Sequence, residues 1–375
     1  MKEVREIAGF AVPFAAGTAA AVYTGISSGN YLACSLIIAG TAILWGILLL
    51  PERKKWPNAL VRTIIIILAL HTGALCGIRG NETSVSNFSS SGLASIALKC
   101  GKSLENTADA IPFRNKQTNT FVKAILTGEK NGMPKDVTEA FRDSGASHIL
   151  ALSGLHLGVI YMFICRLLSL SGFSPAAIRI RSMITIVICG FYTLATGAGP
   201  SLVRAFLFIV LNEIARLSGR IQNTGHTLMT AIILQLCISP SSIRSVGFQL
   251  SYAAMAGIAF LYPQMKRLWP SEKDEERSLA TRSVVNPTRW IWNSATMSTA
   301  CQITTAPVAW FYFGTFPKYF LLTNLIALPL TGILIPVSAM TLMLHKTGKC
   351  PDMLIRITEW LTGMLIGALN IIASM

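Results

Sequence analysis

Charged side chains are scarce in this chain, making up 13% of its 375 residues. Soluble domains carry about 25% charged residues, so a water-soluble globule of this length is excluded. Acidic residues are the scarcest: 17 Asp and Glu stand against 32 Lys and Arg, which gives a formal net charge of +15. In a soluble protein this excess would favour a nucleic-acid surface. In a membrane protein the same excess belongs to cytoplasmic loops, so charge alone does not identify a nucleic-acid partner.

Several motifs of catalysis and metal binding are also absent from the sequence. There is no Walker A loop, no HExxH pair and no HxHxDH cluster, which excludes the usual ATPase, metalloprotease and metallonuclease sites. The eight cysteines show no CxxC spacing and fall mostly inside apolar stretches, so they predict small apolar side chains rather than a zinc site or a disulfide framework. We therefore expect no enzymatic activity, no cofactor and no bound metal.

Apolar residues, in contrast, make up 52% of the chain, and the mean hydropathy is +0.54. A helix needs about 20 apolar residues to cross the hydrocarbon core of a bilayer. Eleven stretches meet or approach that length, which predicts an all-α polytopic bundle of about 11 spans. The first stretch has no convincing cleavage site and is interpreted as a mature helix rather than a signal peptide. The stretches are 7–26, 31–50, 60–79, 145–165, 180–197, 201–216, 226–240, 246–263, 294–313, 319–344 and 354–374.

The basic residues of the short loops predict the orientation of these spans. With the N-terminus in the cytoplasm, the short outer loops hold only Arg244 and Lys318. This asymmetry requires an odd number of spans, so we expect the C-terminus outside and the protein in the cytoplasmic membrane. The inner flanks hold 18 basic residues, namely Lys2, Arg5, Arg53, Lys54, Lys55, Arg166, Arg179, Arg181, Arg216, Arg220, Lys266, Arg267, Lys273, Arg277, Arg282, Arg289, Lys346 and Lys349.

Three regions follow from this topology. Residues 1–79 form three N-terminal spans, residues 80–143 form an outer segment, and residues 144–375 form the main transmembrane domain. Within the outer segment, 81–91 is polar and low in complexity and predicts a loop or disorder. The stretches 96–104 and 121–126 have helical apolar spacing and are expected on the membrane surface. A second polar segment, 264–293, predicts a solvated cytoplasmic loop.

The most unusual stretch runs from Ser144 to Gly158. On one continuous helix, Ser147, Ala151, Gly154 and Gly158 would fall within about 60° of each other and form a ridge of small residues. Such a ridge serves either close helix–helix packing or the clearance of space beside a conduit. His148, Ser153 and His156 would then lie on the remaining faces.

Two histidines and a serine at membrane depth allow two interpretations, which the sequence supports about equally. The residues either form a polar, water-accessible site or are hydrogen-bonded packing residues. Ser153 and His156 lie one helical turn apart, which suggests a hydrolytic pair. No nucleophile elbow or orienting carboxylate accompanies them, so the sequence argues against a hydrolase.

Other polar residues occur inside apolar stretches. Arg204 follows a Gly/Pro-rich turn in which Pro200 suits the first turn of the next helix, so its side chain either snorkels to the interface or offers its guanidinium to an anion. Gln249, Gln302 and Asn324 are intramembrane amides that either join helices or face one another or water.

These segments resemble those of the ComEC family, the inner-membrane DNA-uptake channels of natural competence. Ser144–Gly158 is similar to the family's hallmark Ser-Gly-Leu-His-x-Gly segment and Gly197–Ala205 to its Pro-Ser-x-x-Arg-Ala turn. Gly247–Ser251 resembles its Gly-Phe-Gln-Leu-Ser segment. Thr305–Gly314 followed by Asn324–Leu330 resembles its Pro-aromatic-Phe-Gly and Asn-Leu-Leu-x-x-Pro-Leu pair. The resemblance covers about 120–340.

The resemblance implies a membrane channel for single-stranded DNA in natural transformation. Its implied partners are a DNA receptor outside, a cytoplasmic ATPase or helicase, and a separate nuclease, since 80–143 is short for the family's OB-like domain and no metallo-β-lactamase-like domain follows. A transporter of a smaller anionic solute and a non-transporting membrane scaffold are the alternatives. The expected path residues are His148, Ser153, Gly154, His156, Gly158, Arg204, Gln249, Gln302 and Asn324.

Overall fold

The computed structural model describes residues 2–25, 36–37, 40–41, 43–45, 57–82, 92–169, 175–220, 222–268, 279–314 and 317–375. Across these ranges the chain is helical, with turns and short extended links and no strand, which confirms the all-α class. A 3₁₀ turn at Pro240–Arg244 and a π-helical turn at Gly257–Leu261 interrupt the series. The α-helices are α1 (Lys2–Thr24), α2 (Asn58–Glu82), α3 (Gly92–Ala110), α4 (Lys116–Thr127), α5 (Lys135–Asp143), α6 (Ser147–Leu150), α7 (Gly154–Leu168), α8 (Pro175–Ala195), α9 (Pro200–Leu217), α10 (Thr224–Ile238), α11 (Val246–Ala256), α12 (Tyr262–Lys266), α13 (Leu279–Phe313), α14 (Phe320–Lys346) and α15 (Asp352–Ala373).

Six of the helical stretches in the described ranges are long and apolar enough to cross a membrane. The helices α7 and α10 are apolar but shorter. The expected span 31–50 and the expected loop 81–91 lie largely outside the described residues, and the count of eleven spans stays a prediction. The six stretches are Glu6–Thr24, Asn58–Asn81, Ala176–Ala195, Val246–Lys266, Phe320–Lys346 and Asp352–Ala373.

The chain divides into two compact units: residues 1–91 with 210–252, and residues 92–209 with 253–375. In the first unit α1 and α2 pack with almost no space between their backbones. A Cβ built on Gly17 would overlap the Leu70 carbonyl, and one built on Gly73 would overlap the Phe14 carbonyl. Asn81 adds a hydrogen bond from its side-chain amide to the Ala21 carbonyl at 3.1 Å. Glycine at these two positions is therefore what allows the close approach.

The core of the second unit is built from α4, α5, α7, α14 and α15. Phe121 of α4 and Phe141 of α5 have ring centroids 5.6 Å apart and share the core with Leu334 of α14 and Leu365 of α15. Phe121 is only 1% exposed. The stretches 96–104 and 121–126 are helical as expected, but a place on the membrane surface is wrong for 121–126, because its apolar side chains are buried by α14 and α15.

Contacts inside the second unit conflict with the membrane sides expected for the segment 80–143 and for the loop at Lys346 and Lys349. Residues 80–143 were expected outside, and Lys346 and Lys349 were expected in the cytoplasm. In the structure Lys346 donates from Nζ to Ser103 Oγ at 3.2 Å, and the backbone N–H of Asn115 donates to Glu359 Oε1 at 2.8 Å. A bilayer core is about 30 Å thick, so hydrogen-bonded groups share a side. The two placements cannot both hold.

The expected loop at 264–293 is also shorter than its sequence suggested. Helix α13 begins at Leu279, and the preceding helix α12 ends at Lys266. Residues 269–278 lie outside the described ranges. The described residues of the expected outer segment are helices α3 to α5 with their connecting turns, so no strand of a barrel is found among them.

Candidate functional site

The hallmark stretch is broken into two helices, α6 and α7. Ala151 (φ −80°, ψ 125°) and Ser153 (φ −126°, ψ 172°) are extended, so α6 ends at Leu150 and α7 begins at Gly154. The single helix expected over 145–165 is therefore wrong, and Ser147 and Ala151 do not form one ridge with Gly154 and Gly158. The physical reason is a cap: Ser153 Oγ accepts a hydrogen bond from the Leu155 N–H at 3.3 Å and starts a new helix.

Ser153 and His156 form the two halves of a capping box at the N-terminus of α7. His156 Nδ1 accepts from the Ser153 backbone N–H at 3.2 Å and lies 3.1 Å from Ser153 Oγ. In this role His156 does what Glu or Gln does in the common form of the motif. Ser153 and His156 are thus in contact, and the geometry of the contact is that of a helix cap.

The cap uses only Nδ1 of His156 and leaves Nε2 without a partner among the described residues. His156 is fully buried, and among the described residues its Nε2 has no hydrogen-bond partner. Because Nδ1 accepts a backbone proton, the neutral ring carries its own proton on Nε2. Buried polar groups are normally hydrogen-bonded, so an unpartnered N–H at this position is unusual.

His148 lies on α6, apart from this cap. Its Nδ1 is 3.2 Å from the Gly145 carbonyl, within the turn that precedes α6, and its side chain is exposed. Gly145 itself has φ +82°, and a Cβ there would also strike Pro317. The backbone is anchored beside this point, where Thr323 Oγ1 donates to the Ser144 carbonyl at 2.7 Å.

Arg204 comes close to the start of α7. A Cβ built on Gly154 would stand 2.7 Å from Arg204 Nη2 and 3.3 Å from Ala205 Cβ. Arg204 is 8% exposed. Its side chain is therefore buried within the second unit and does not extend to the solvent as a snorkelling arginine would. Its position follows from the expected turn, since Gly197 (φ +83°) and Ala198 (φ +50°) reverse the chain and Pro200 opens α9.

The start of α7 is consequently a concentration of positive potential. A helix N-terminus carries about half a positive charge on its free N–H groups, and here a guanidinium is placed beside it. Both groups attract anions, and a guanidinium matches the geometry of phosphate well, so this point suits an anionic ligand.

The remaining expected residues are not gathered at this point. Gln249 lies in the first unit, where its side-chain nitrogen donates to the Ile243 carbonyl at 3.0 Å and to the Tyr23 hydroxyl at 3.2 Å. Gln302 on α13 and Asn324 on α14 belong to the second unit, and both are partly buried. Among the described residues Asn324 Oδ1 is buried without a partner. Gly158 has no atom within 4 Å of a built Cβ.

Sequence inspection missed two residues of α14, Thr331 and Ser338. Both are fully buried, and among the described residues their hydroxyl oxygens have no partner. Their signal was present in the sequence, because they follow Asn324 at intervals of seven residues and so share its helix face. Hydroxyl residues are common in membrane helices, which is why the spacing alone did not single them out.

The chain matches known proteins over its larger, C-terminal part. The family model described as Competence protein matches residues 125–375. The chain is 24% identical to the uncharacterized protein YcaI of Escherichia coli over 251 residues, 66% of this chain and 31% of that protein. It is 28% identical to ComE operon protein 3 of Bacillus subtilis over 133 residues, 35% of this chain and 17% of that protein.

A third relative is competence protein ComA of Neisseria gonorrhoeae, 27% identical over 144 residues, 36% of this chain and 20% of that protein. The chain thus spans less than a third of the length of these curated relatives. No solved structure matches it. The hallmark segment, the Arg204 turn and helices α7 to α15 all fall within the family match, and the chain belongs to the Competence protein family.

Proposed function

We propose that the chain forms a pathway for single-stranded DNA across the cytoplasmic membrane during natural transformation. The observation that carries the proposal is the placement of Arg204 beside the N-terminus of α7 at Gly154. Phosphates recur along a DNA strand regardless of sequence, and backbone contacts to them give passage without base recognition. Membership of the Competence protein family supports the same conclusion.

The path residues of this proposal are those that the second unit holds. Ser153, Gly154, His156 and Arg204 surround the start of α7, and His148, Gly158, Gln302 and Asn324 belong to the same unit. Gln249 is left out, because its side-chain nitrogen is engaged by Ile243 and Tyr23 in the first unit.

The membrane arrangement we propose keeps about eleven crossings, an N-terminus in the cytoplasm and a C-terminus outside. A cytoplasmic loop between α14 and α15 fits this arrangement, since Lys346 and Lys349 flank it and α15 then leads outward. The hydrogen bond from Asn115 to Glu359 favours the same side for the start of α4 and that loop. In a chain of eleven crossings this requires one further crossing between α2 and α4 and one fewer between α5 and α14. The partners are a DNA receptor outside, a cytoplasmic ATPase or helicase, and a separate nuclease.

Substitution of Arg204 tests the proposed function. Arg204→Gln keeps much of the length but removes the charge, and Arg204→Lys keeps the charge but loses the planar fork. We expect Gln to lower internalisation of labelled DNA about ten-fold or more, with Lys in between, because a buried guanidinium–phosphate contact is lost. DNA bound at the cell surface should stay unchanged, since that step precedes the channel.

The matched control is Arg179→Gln, which removes an exposed arginine at the start of α8. It should transport like the parent chain at equal membrane levels. Equal uptake by Arg204→Gln and the parent chain would remove Arg204 from the path. Uptake that is independent of polymer length, or unchanged when the gene is deleted, would favour a small-anion transporter or a scaffold instead.

A further inference from the structure

A small cavity lies in the second unit, where the turn between α3 and α4 meets the start of α15. Its volume is about 120 Å³. A water molecule takes up about 30 Å³ of the liquid, so the cavity has room for a polar group of several heavy atoms. Four of its six lining residues are charged, two of each sign. The lining residues are Pro112, Arg114, Asp352, Ile355, Arg356 and Glu359.

Both walls of the cavity are held in place by the rest of the unit. Ile111, in the turn, is buried in the core, and Asn119 of α4 donates from its side-chain nitrogen to the Ile111 carbonyl at 2.9 Å. The backbone N–H of Asn115 donates to Glu359 Oε1 at 2.8 Å, which joins the turn to α15. Arg114 therefore stands at a fixed backbone position opposite the start of α15.

The charges around the cavity do not neutralise one another. Arg114, Asp352 and Arg356 are exposed, and in the part of the chain that the structure describes none of them forms an ion pair. Close to the cavity, on α3 and α4, opposite charges do pair: Lys123 Nζ lies 3.0 Å from Asp109 Oδ1. Opposite charges that face one cavity without meeting suit a ligand that itself carries both signs.

The cavity lies at one end of a helix that can cross the membrane. Helix α15 is apolar enough to do so over Asp352–Ala373. These 22 residues are about 33 Å long, which matches a hydrocarbon core of about 30 Å. The start of α15, and the cavity with it, therefore lies at the level of the lipid headgroups. Pockets with basic side chains at this level bind lipid headgroups in other membrane proteins.

An apolar face of α15 continues from the cavity along the helix. Its four large side chains lie within about 40° of each other around the helix axis. Arg356 lies about 60° from the centre of this face, so the cavity borders it. A headgroup in the cavity would place its acyl chains on this face. The four side chains, each at least 43% exposed, are those of Met353, Trp360, Met364 and Ile371.

We propose that the cavity binds a phospholipid whose headgroup carries a phosphate and a primary ammonium group. Arg114 and Arg356 bind the phosphate, because guanidinium groups match its oxygens in geometry and charge. Asp352 accepts hydrogen bonds from the ammonium group. The acyl chains lie along the exposed apolar face of α15, so the lipid joins the α3–α4 turn to the membrane. Lipid binding here does not depend on DNA transport.

Native mass spectrometry of the full chain in detergent tests this proposal. The chain is titrated with phosphatidylethanolamine and, separately, with phosphatidylglycerol of the same acyl chains, which lacks the ammonium group. We expect one phosphatidylethanolamine to bind about ten-fold more tightly than phosphatidylglycerol, because only the former pairs with Asp352 as well as with the arginines. Equal affinities of the parent chain for the two lipids would overturn the proposal.

Substitution of both arginines tests their part in binding. Arg114→Gln with Arg356→Gln removes the phosphate contacts and should weaken binding of phosphatidylethanolamine about ten-fold or more. Both side chains are exposed, so the melting temperature in detergent without lipid should match that of the parent chain. Arg142→Gln is the matched control, since it removes an exposed arginine that does not line the cavity and should leave the affinity unchanged. Equal binding by the double variant and the parent chain would contradict the proposal.

Two further measurements separate the ammonium contact and the acyl chains. Asp352→Asn keeps the size of the side chain and should lower the affinity for phosphatidylethanolamine to that for phosphatidylglycerol, without weakening the latter. Glycerophosphoethanolamine has the same headgroup but no acyl chains, and should compete only at about 100-fold or higher concentration, because it buries no apolar surface on α15. Competition at equal concentration would assign the cavity to a soluble zwitterion and overturn the lipid site. An unchanged preference in Asp352→Asn would remove the ammonium contact.

Discussion

Gly154 and Gly158 belong to one GxxxG motif but have different surroundings. Gly154 is the point at which α7 meets Arg204 and Ala205, whereas Gly158 faces open space. The sequence left packing and clearance open as alternatives for the whole ridge. The structure assigns close packing to Gly154, and the ridge as such does not exist because Ser153 interrupts the helix.

Alanine scanning of this motif separates the two glycines. Gly154→Ala puts a methyl group against the end of a flexible arginine, so the guanidinium is displaced while the fold survives. We expect internalisation of labelled DNA to fall several-fold at normal membrane levels. Gly158→Ala adds one methyl group to open space, which is too small to block a path, and gains helix propensity of about 0.5–1 kcal/mol. Uptake should therefore stay normal. Equal uptake in the two variants would show that the position of the guanidinium is immaterial.

The sequence predicted Pro200 at the start of α9 but missed the cap at Ser153 and His156, which it placed within one continuous helix. Both features follow from rules that apply over a few residues. The approach of Gly154 to Arg204 joins residues fifty positions apart and has no local signature. The capping signal itself was readable as Ser-x-x-His, but His is not the usual partner in that motif.

At the scale of elements, α1 and α2 depend on glycine for their contact. Gly73→Ala places a Cβ on the Phe14 carbonyl, backbone against backbone, where no side chain can yield. Overpacking of this kind costs about 1–3 kcal/mol. We expect less folded protein in the membrane and a lower melting temperature in detergent.

Gly9→Ala is the matched control in the same pair of helices, since its added Cβ meets no atom within 4 Å. It should be as stable as the parent chain, or slightly more so, because alanine favours helix. Equal melting temperatures for the two variants would contradict the close backbone contact between α1 and α2.

Several helices could be placed from the length of apolar stretches alone. The expected stretches 60–79, 226–240 and 354–374 correspond to α2, α10 and α15 within a few residues. Hydropathy could not foresee the π-helical turn at Gly257–Leu261. There a Cβ on Gly257 would overlap the Ala300 carbonyl, so the turn coincides with a tertiary contact to α13. The apolar spacing of 121–126 also predicted a place on the membrane surface for α4, although Phe121 and Ile125 are buried by helices distant in sequence.

At the scale of the whole molecule, the charge of the loops and the tertiary contacts disagree on which side of the membrane the segment 80–143 lies. The charge rule counts basic residues in short loops and says less about a long segment such as 80–143. Residues 92–143 hold eight Lys and Arg, which suit a cytoplasmic position as well as the loop at Lys346 and Lys349 does. Hydrogen bonds join the two segments at Ser103 and Asn115, so one compartment satisfies both observations.

Cysteine accessibility in intact cells decides this placement. Arg114 is exposed beside Asp352 and Arg356 at the start of α15, and Lys349 is exposed in the preceding turn. We expect Arg114→Cys and Lys349→Cys to give the same result, protected from an impermeant maleimide in intact cells and labelled after permeabilisation. Lys54→Cys serves as the cytoplasmic reference, and a cysteine appended after Met375 reports the side of the C-terminus, which we expect to be labelled from outside. Labelling of Arg114→Cys alone from outside would restore the outer segment and contradict the packing of α4 on α15. Labelling of both from outside would keep the packing but place the C-terminus in the cytoplasm, because α15 crosses only once.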